Sequence, residues 1–191
     1  MEIVDEKKIN FDLIEDLLIM LLNKRQMNTS IVAPNGDGGM DTRMDDGSVL
    51  IFLPGIGEIR ALYQRLSTSK ILGNKDQFNI ISMHSSISSK EQKRAFVPQK
   101  MGCKIILATN ICEASLTIPD CVVVIDTGLE RSIKQNNRTS TPTLVTDWCS
   151  KASAKQRAGR VSFKYMFYTL FMHHSHNLKL IGWSRAFGSM L

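Results

Sequence analysis

Four short apolar runs constrain the fold more than any other feature of this chain: SVLIFL (48–53), FNIISMH (78–84), CKIILAT (103–109) and CVVVIDTG (121–128). Strands buried on both faces of a parallel sheet read as continuous apolar runs rather than as alternating ones. The intervals between them have helical character. IGEIRALYQRLSTS sets Ile56, Ile59, Leu62 and Leu66 on one side, and SSISSKEQKRAF offers Ser88 or Ser89 as the N-cap of a helix running through Phe96. EASLT predicts a brief turn or helix, and SKASAKQRAG a short helix. RSIKQ and PTLVTDW are weakly extended on either side of the polar NNRTS, which predicts a hairpin, and VSFKYMFYTL reads as a fifth buried strand. Strand and helix in alternation argue for an α/β domain with a mostly parallel sheet covered on both sides, three layers in all, plus a small β-hairpin.

Upstream, INFDLIEDLLIMLLNKR predicts one amphipathic helix with Ile9, Leu13, Leu17 and Leu21 on its apolar face, Asn10 or Asp12 at its start and Lys24 and Arg25 at its end. The Gly-, Asp-, Asn- and Thr-rich stretch 26–47 has no periodicity and reads as a flexible linker. The expected organisation is therefore a lead-in helix (1–25), a linker (26–47), an α/β domain (48–170) and a divergent tail (171–191). No apolar run approaches the roughly 20 residues that span a bilayer, and the charged opening MEIVDEKKIN does not resemble a signal peptide. An intracellular protein with no membrane partner is expected, cytoplasmic rather than nuclear.

Charge is uneven. Residues 1–47 carry 5 Lys/Arg against 10 Asp/Glu, a net of −5, whereas residues 48–191 carry 19 against 8, a net of +11. A basic globular part suits a polyanion such as nucleic acid. Cys103, Cys112, Cys121 and Cys149 form no C-x-x-C pair, so buried free thiols are expected rather than a disulfide or metal site.

In open α/β sheets, ligand groups collect in the loops beyond the carboxyl ends of the strands. Four segments qualify. LPGIGE follows the first strand. HSSISS places serines at a helix N-terminus, where they either cap the helix or meet an anion. ATNICEAS is dense in hydroxyls, with Thr109, Asn110, Ser115 and Thr117 satisfying their own turn or contacting phosphate and ribose oxygens. KQRAGR holds Arg157 and Arg160 three apart, with Gly159 permitting close approach. Planar guanidinium forks bind phosphate bidentately and keep their charge, and the alternative is a solvated basic turn.

Taken in order, these pieces resemble the second RecA-like domain of the DEAH/RHA-type RNA helicases of superfamily 2. VLIFLPGIGEI is similar to that family's motif IV, and MHSSISSKEQKRAF to the block that follows it. ATNICEASLTIPDCVVVIDTG is similar to motif V, T-N-I-A-E-T-S-L-T-I, with its next strand. SKASAKQRAGR is similar to the lead into motif VI, Q-R-x-G-R-A-G-R. The resemblance covers roughly residues 7–169 apart from the linker and implies a RecA-like α/β/α fold. It also implies RNA-stimulated ATP hydrolysis at a cleft between two RecA-like domains, this one supplying the arginine-finger half. Gln156 would place the attacking water, with Arg157 and Arg160 in the finger motif and Thr117, Gln156 and Arg160 meeting the nucleotide. Such fingers are worth about 10³ to 10⁵ in rate in other nucleotide hydrolases. Ser86, Thr109 and Asn110 would contact the backbone of single-stranded RNA, and Phe96 would stack on a base. Residues 133–144 would form the family's hairpin near the duplex junction.

The sequence departs from the family pattern in several places. Cys112 and Ala114 stand where Ala and Thr are usual, and motif VI lacks three residues, Val161 following Arg160 directly. One finger arginine is therefore missing. Neither G-x-x-x-x-G-K-[ST] nor D-E-x-H occurs, so ATP and Mg²⁺ are expected only in a longer protein that supplies the first RecA-like domain as partner, and neither is held by this chain alone. The alternative is a non-catalytic fragment that binds RNA or a protein, or a defective truncated product. His173, His174 and His176 lack companion ligands, and a short unstructured or weakly helical end is expected there, with no metal site.

Overall fold

The computed structural model describes residues 8–27, 47–99, 102–110, 118–135, 141–160, 166–171 and 179–183. Its elements, in order, are α1 (Phe11–Met27), β1 (Ser48–Phe52), α2 (Ile56–Thr68), β2 (Phe78–Met83), α3 (Ser89–Phe96), β3 (Cys103–Ala108), β4 (Cys121–Asp126), β5 (Leu129–Gln135), β6 (Pro142–Trp148), α4 (Lys151–Ala158), β7 (Met166–Phe171) and β8 (Lys179–Trp183). Six strands form one sheet in the order β2-β3-β1-β4-β7-β8, and β5 with β6 forms a separate antiparallel hairpin. Strands β1, β2, β3, β4 and β7 run parallel; β8 runs antiparallel to β7.

The apolar runs become strands because both of their faces are covered. β1, β3 and β4 are buried at every position. Alternate residues divide between two cores. Val49, Ile51, Ile105, Leu107, Val123 and Ile125 face α1 and α2, while Leu50, Phe52, Ile106, Ala108 and Val124 face α3, with Ala158 of α4 packed against the same cluster. The result is the α/β/α layering expected from the sequence, and each fully buried aliphatic side chain contributes roughly 1.5–3 kcal/mol.

Asn10 caps α1, its Oδ1 accepting the N–H of Leu13 at 3.1 Å. The buried face of α1 differs from the expected one. Ile14, Leu17, Leu18 and Leu21 are buried, a spacing of three, one and three, whereas Ile9 and Leu13 are only partly covered. Almost every side of this helix is apolar, so periodicity alone does not fix its rotation, and the contact with α2 does. Arg65 of α2 pairs with Asp12 and, at 2.6 Å, with Glu15. The helix thus belongs to the main core rather than standing before it.

Ser88 caps α3, accepting the N–H of Glu91 and donating its hydroxyl proton to the Glu91 carboxylate at 2.9 Å. Ser150 caps α4 in the same way through the N–H of Ser153. The tail corrects the sequence expectation. Lys179–Trp183 is strand β8, in register with β7 from Phe167 opposite Trp183 to Phe171 opposite Lys179. KLIGW carries two β-branched or aromatic residues, and an open sheet edge gives such a segment backbone partners.

Candidate functional site

Register aligns the carboxyl ends of the strands. Met83, Ala108, Phe52, Asp126 and Thr169 lie side by side across β2, β3, β1, β4 and β7. The chain leaves this row through short hydrogen-bonded exits. Thr109 donates its N–H to Met83 O, and Leu53 donates to Ala108 O. Thr127 donates both its N–H and its hydroxyl to Phe52 O.

Ser86, Thr109 and Asn110 therefore sit at the carboxyl edge, beyond β2 and β3. Ser86 and Asn110 are exposed and Thr109 is half-buried. The backbone N–H of Ser86 donates to His84 Nδ1 at 3.3 Å, which fixes the turn that carries its hydroxyl. Phe96 is elsewhere. It ends α3, and its neighbours Ala95 and Val97 give their carbonyls to Lys104 Nζ at 2.8 and 3.0 Å. Lys104 is the second residue of β3 and pairs with Ser48, the first of β1, so this is the amino end of the sheet. Phe96 is partly buried against the Leu50/Phe52 cluster, and its backbone is not gathered with Ser86, Thr109 and Asn110. A helix that starts where β2 ends and returns along the sheet necessarily carries its last residue away from the edge where it began.

The other half of the edge is made by α4. Gln156 is exposed on this helix, and Arg160 follows its end, half-buried, with its N–H donating to Arg157 O. Gly159 caps the helix with a right-handed φ of −70°, so its conformation requires no glycine. Arg157 and Arg160 do not form the surface pair that their spacing implies. Arg157 is 1% exposed: Nη1 donates to Asp126 Oδ1 at 2.9 Å and to Leu129 O at 3.3 Å, and Nη2 lies 3.4 Å from Glu130 Oε2. Its guanidinium carbon sits 5.2 Å from the centroid of the Phe52 ring, within cation–π range. A planar fork serves these spread-out acceptors along its edge while its face lies against the ring.

Asp126 is fully buried, and its Oδ1 also accepts the N–H of Gly128 at 2.8 Å. Gly128 has φ +72°, the left-handed region that glycine enters without steric cost, and this turn lets β4 run directly into β5. Sequence reading passed over Asp126 and Glu130. A signal was present, because an acidic residue closing a strand as apolar as CVVVID needs a buried cation or hydrogen-bond donors. Lys104 within CKIILA carried the mirror signal. Its partner is Asp120, 3.0 Å away.

Thr117, Ser115 and Cys112 lie outside the described residues, as do His173, His174 and His176. Cys103 and Cys121 are buried thiols outside any disulfide, and Cys149 is partly exposed. Among the described residues no group of three or more His, Cys, Asp and Glu is placed to hold a metal ion, and Asp126 is committed to Arg157. No helix among them is long and apolar enough to cross a membrane.

A covered parallel sheet with hydroxyl and amide side chains beyond two strands, and an arginine-bearing helix beyond a third, defines a RecA-like domain. The chain belongs to the helicase conserved C-terminal domain family, whose model matches residues 20–162. It is 39% identical over 168 residues to the ATP-dependent RNA helicase dhx29 of Xenopus laevis, covering 86% of this chain and 11% of that protein. It is 43% identical over 117 residues to the DExH-box ATP-dependent RNA helicase DExH6 of Arabidopsis thaliana, covering 61% of this chain and 9% of that one. Among solved structures, the E. coli DExH-box NTPase HrpB superposes with a TM-score of 0.55 at 31% identity, over 74% of this chain and 15% of HrpB. The chain thus spans about a tenth of the length of the curated relatives it matches.

Proposed function

We propose that this chain acts as the second RecA-like domain of an ATP-dependent RNA helicase, contributing RNA-backbone contacts and the arginine side of a nucleotide site that a first RecA-like domain completes. The supporting observation is the division of one sheet edge. Small polar side chains (Ser86, Thr109, Asn110) stand beyond β2 and β3, and a cationic helix end (Gln156, Arg160) stands beside β4. On this reading the hydroxyls and amide meet phosphate and ribose oxygens, Gln156 orients a water, and Arg160 offers its guanidinium to anionic oxygens. Arg157 is held inside the domain and keeps α4 in place. Arg160 and Gln156 fit a nucleotide's phosphates. The described carboxylates do not fit Mg²⁺, whose ligands this reading assigns to the first domain. ATP, in the longer protein, supplies the transferable phosphoryl group.

One observation favours a second reading. With Arg157 committed to Asp126 and three residues missing from motif VI, the motif's described arginines leave Arg160 toward the phosphate-facing end, which suits a module that binds RNA without hydrolysis. Purified chain should bind single-stranded RNA at low salt, with affinity falling as salt rises because phosphate contacts release counterions. Undetectable binding at low salt would sink both readings. Joined to a first RecA-like domain, RNA-stimulated ATP turnover that drops about 10³-fold in Arg160→Ala supports the catalytic reading. Binding without such turnover supports the second.

A further inference from the structure

We propose that Arg157 is a positioning residue that locks the arginine-bearing end of α4 to the root of the β5–β6 hairpin, so that displacement of the hairpin moves Arg160. The significance of Arg160 rests on the function proposed above; the mechanical link does not.

Four contacts carry the inference. Arg157 Nη2 reaches Glu130, the second residue of β5, at 3.4 Å, and Nη1 reaches the carbonyl of Leu129, the first, at 3.3 Å. Cys149, between β6 and α4, donates its N–H to Gly128 O at 2.8 Å, so both hairpin strands are tied at the point where α4 begins. At the far end of the helix, the N–H of Arg160 donates to the carbonyl of Arg157 itself at 3.1 Å. One residue thus holds the hairpin root with its side chain and Arg160 with its backbone.

The hairpin is built to move as a unit. It pairs with no strand of the main sheet, and its seven-residue ladder runs from Leu129 opposite Trp148 to Gln135 opposite Pro142. Ile133 and Leu144 form a cross-strand pair at 74% and 62% exposure, so its outer half projects away from the core. A further side-chain tie is Arg131 to Glu58 of α2 at 2.7 Å, which leads to α2 and not to α4. Asp126 anchors Arg157 to the rigid sheet. Glu130, 24% exposed and at the longer distance, is the yielding partner.

Amide hydrogen exchange on the full 191-residue chain, without RNA or nucleotide, tests the link. The reporters are the amides of Gly159 and Arg160, with β1 and β3 as references. Loosening the outer hairpin with Ile133→Gly and Leu144→Gly should speed exchange at Gly159 and Arg160 about two- to five-fold, the range that a partly exposed ion pair transmits, and leave β1 and β3 unchanged. In a Glu130→Ala background, which removes one contact of Arg157 to the hairpin root and leaves the Leu129 carbonyl and the Cys149–Gly128 bond, the same loosening should have a smaller effect at those two amides. Glu58→Gln should not block the transmission. Arg157→Lys keeps a cation beside Asp126 without the fork and should likewise reduce the transmission. The proposal is overturned if loosening the hairpin leaves Gly159 and Arg160 unmoved, or moves them equally with and without Glu130. Should Arg157→Lys fail to fold, the Glu130 comparison still decides. Because no ligand is present, loss of RNA binding or of turnover elsewhere has no bearing on the outcome.

Discussion

Lys104 Nζ lies 3.0 Å from Asp120 Oδ1 and gives its remaining protons to the carbonyls of Ala95 and Val97, a buried cation with three acceptors for its three donors. Asp120 Oδ1 also accepts the Ser48 hydroxyl at 3.3 Å, so one ammonium joins the end of α3 to the starts of β1, β3 and β4. Lys104→Met should lower unfolding free energy by about 3 kcal/mol, because it leaves a largely buried carboxylate and two carbonyls without their donor. Asp120→Asn should cost less, since the two carbonyls keep their partner. Urea titration of both variants checks the order.

The Asp126–Arg157 pair is more deeply buried than the Glu130–Arg157 pair, and the two should separate energetically. Asp126→Asn removes the buried counter-charge of a guanidinium at 1% exposure and should cost about 3–5 kcal/mol. Glu130→Gln, at a partly exposed site, should cost under about 1 kcal/mol. Equal losses in denaturant unfolding would contradict this ranking.

The acid stability of the α1–α2 contact follows from Glu15. A hydrogen bond from Ser69 and the nearby Arg65 guanidinium hold its carboxyl below the ordinary 4.5, against an opposing push from burial. A depressed carboxyl contributes stability that is present above its unfolded pKa and is lost as pH falls through its folded value. The stability difference between the unaltered chain and Glu15→Gln should therefore be steady near neutrality and shrink as pH drops below about 4.5. Melting curves across that window measure it.

Burial pushes the Cys121 thiol up to about 12, reinforced by the Asp120 charge beside it. At pH 8 its thiolate fraction is then about one in ten thousand. Iodoacetamide should modify partly exposed Cys149 well before Cys121 in the folded chain, and mass mapping of the labelled peptides reads the order.

Phe96 provides a discriminating RNA experiment. Its place against the Leu50/Phe52 cluster predicts that Phe96→Leu lowers stability by under about 1.5 kcal/mol and leaves single-stranded RNA affinity unchanged. Asn110→Ala, at the opposite end of the sheet, should weaken binding. A large affinity loss in Phe96→Leu at unchanged stability would return that ring to the RNA surface.

How much was legible in the sequence depends on how locally each feature is encoded. β1, β3 and β4 were plain because a doubly covered strand must be apolar at every position, and side-chain chemistry narrowed the caps to Ser88 or Ser89 and to Asn10 or Asp12. The hairpin was legible from the polar turn between RSIKQ and PTLVTDW. The rotation of α1 was not, because its apolar residues nearly encircle it and the core built by α2 and the sheet, far along the chain, selects the face it buries. The Arg157 site was read as a surface pair because its counter-charges lie 27 and 31 residues upstream and meet it only once β4, β5 and α4 have assembled. β8 was hidden because five residues beside a histidine cluster become a strand only when a neighbouring edge awaits them.

That last strand has a bearing on association. A sheet ending in β7 would present a row of open backbone donors and acceptors, a template on which another strand could add. β8 occupies that row in the reverse direction, and Lys179 opens it. The edge left open on that side is then a five-residue strand that begins with a lysine, and short, charged edges are poor templates for a second copy.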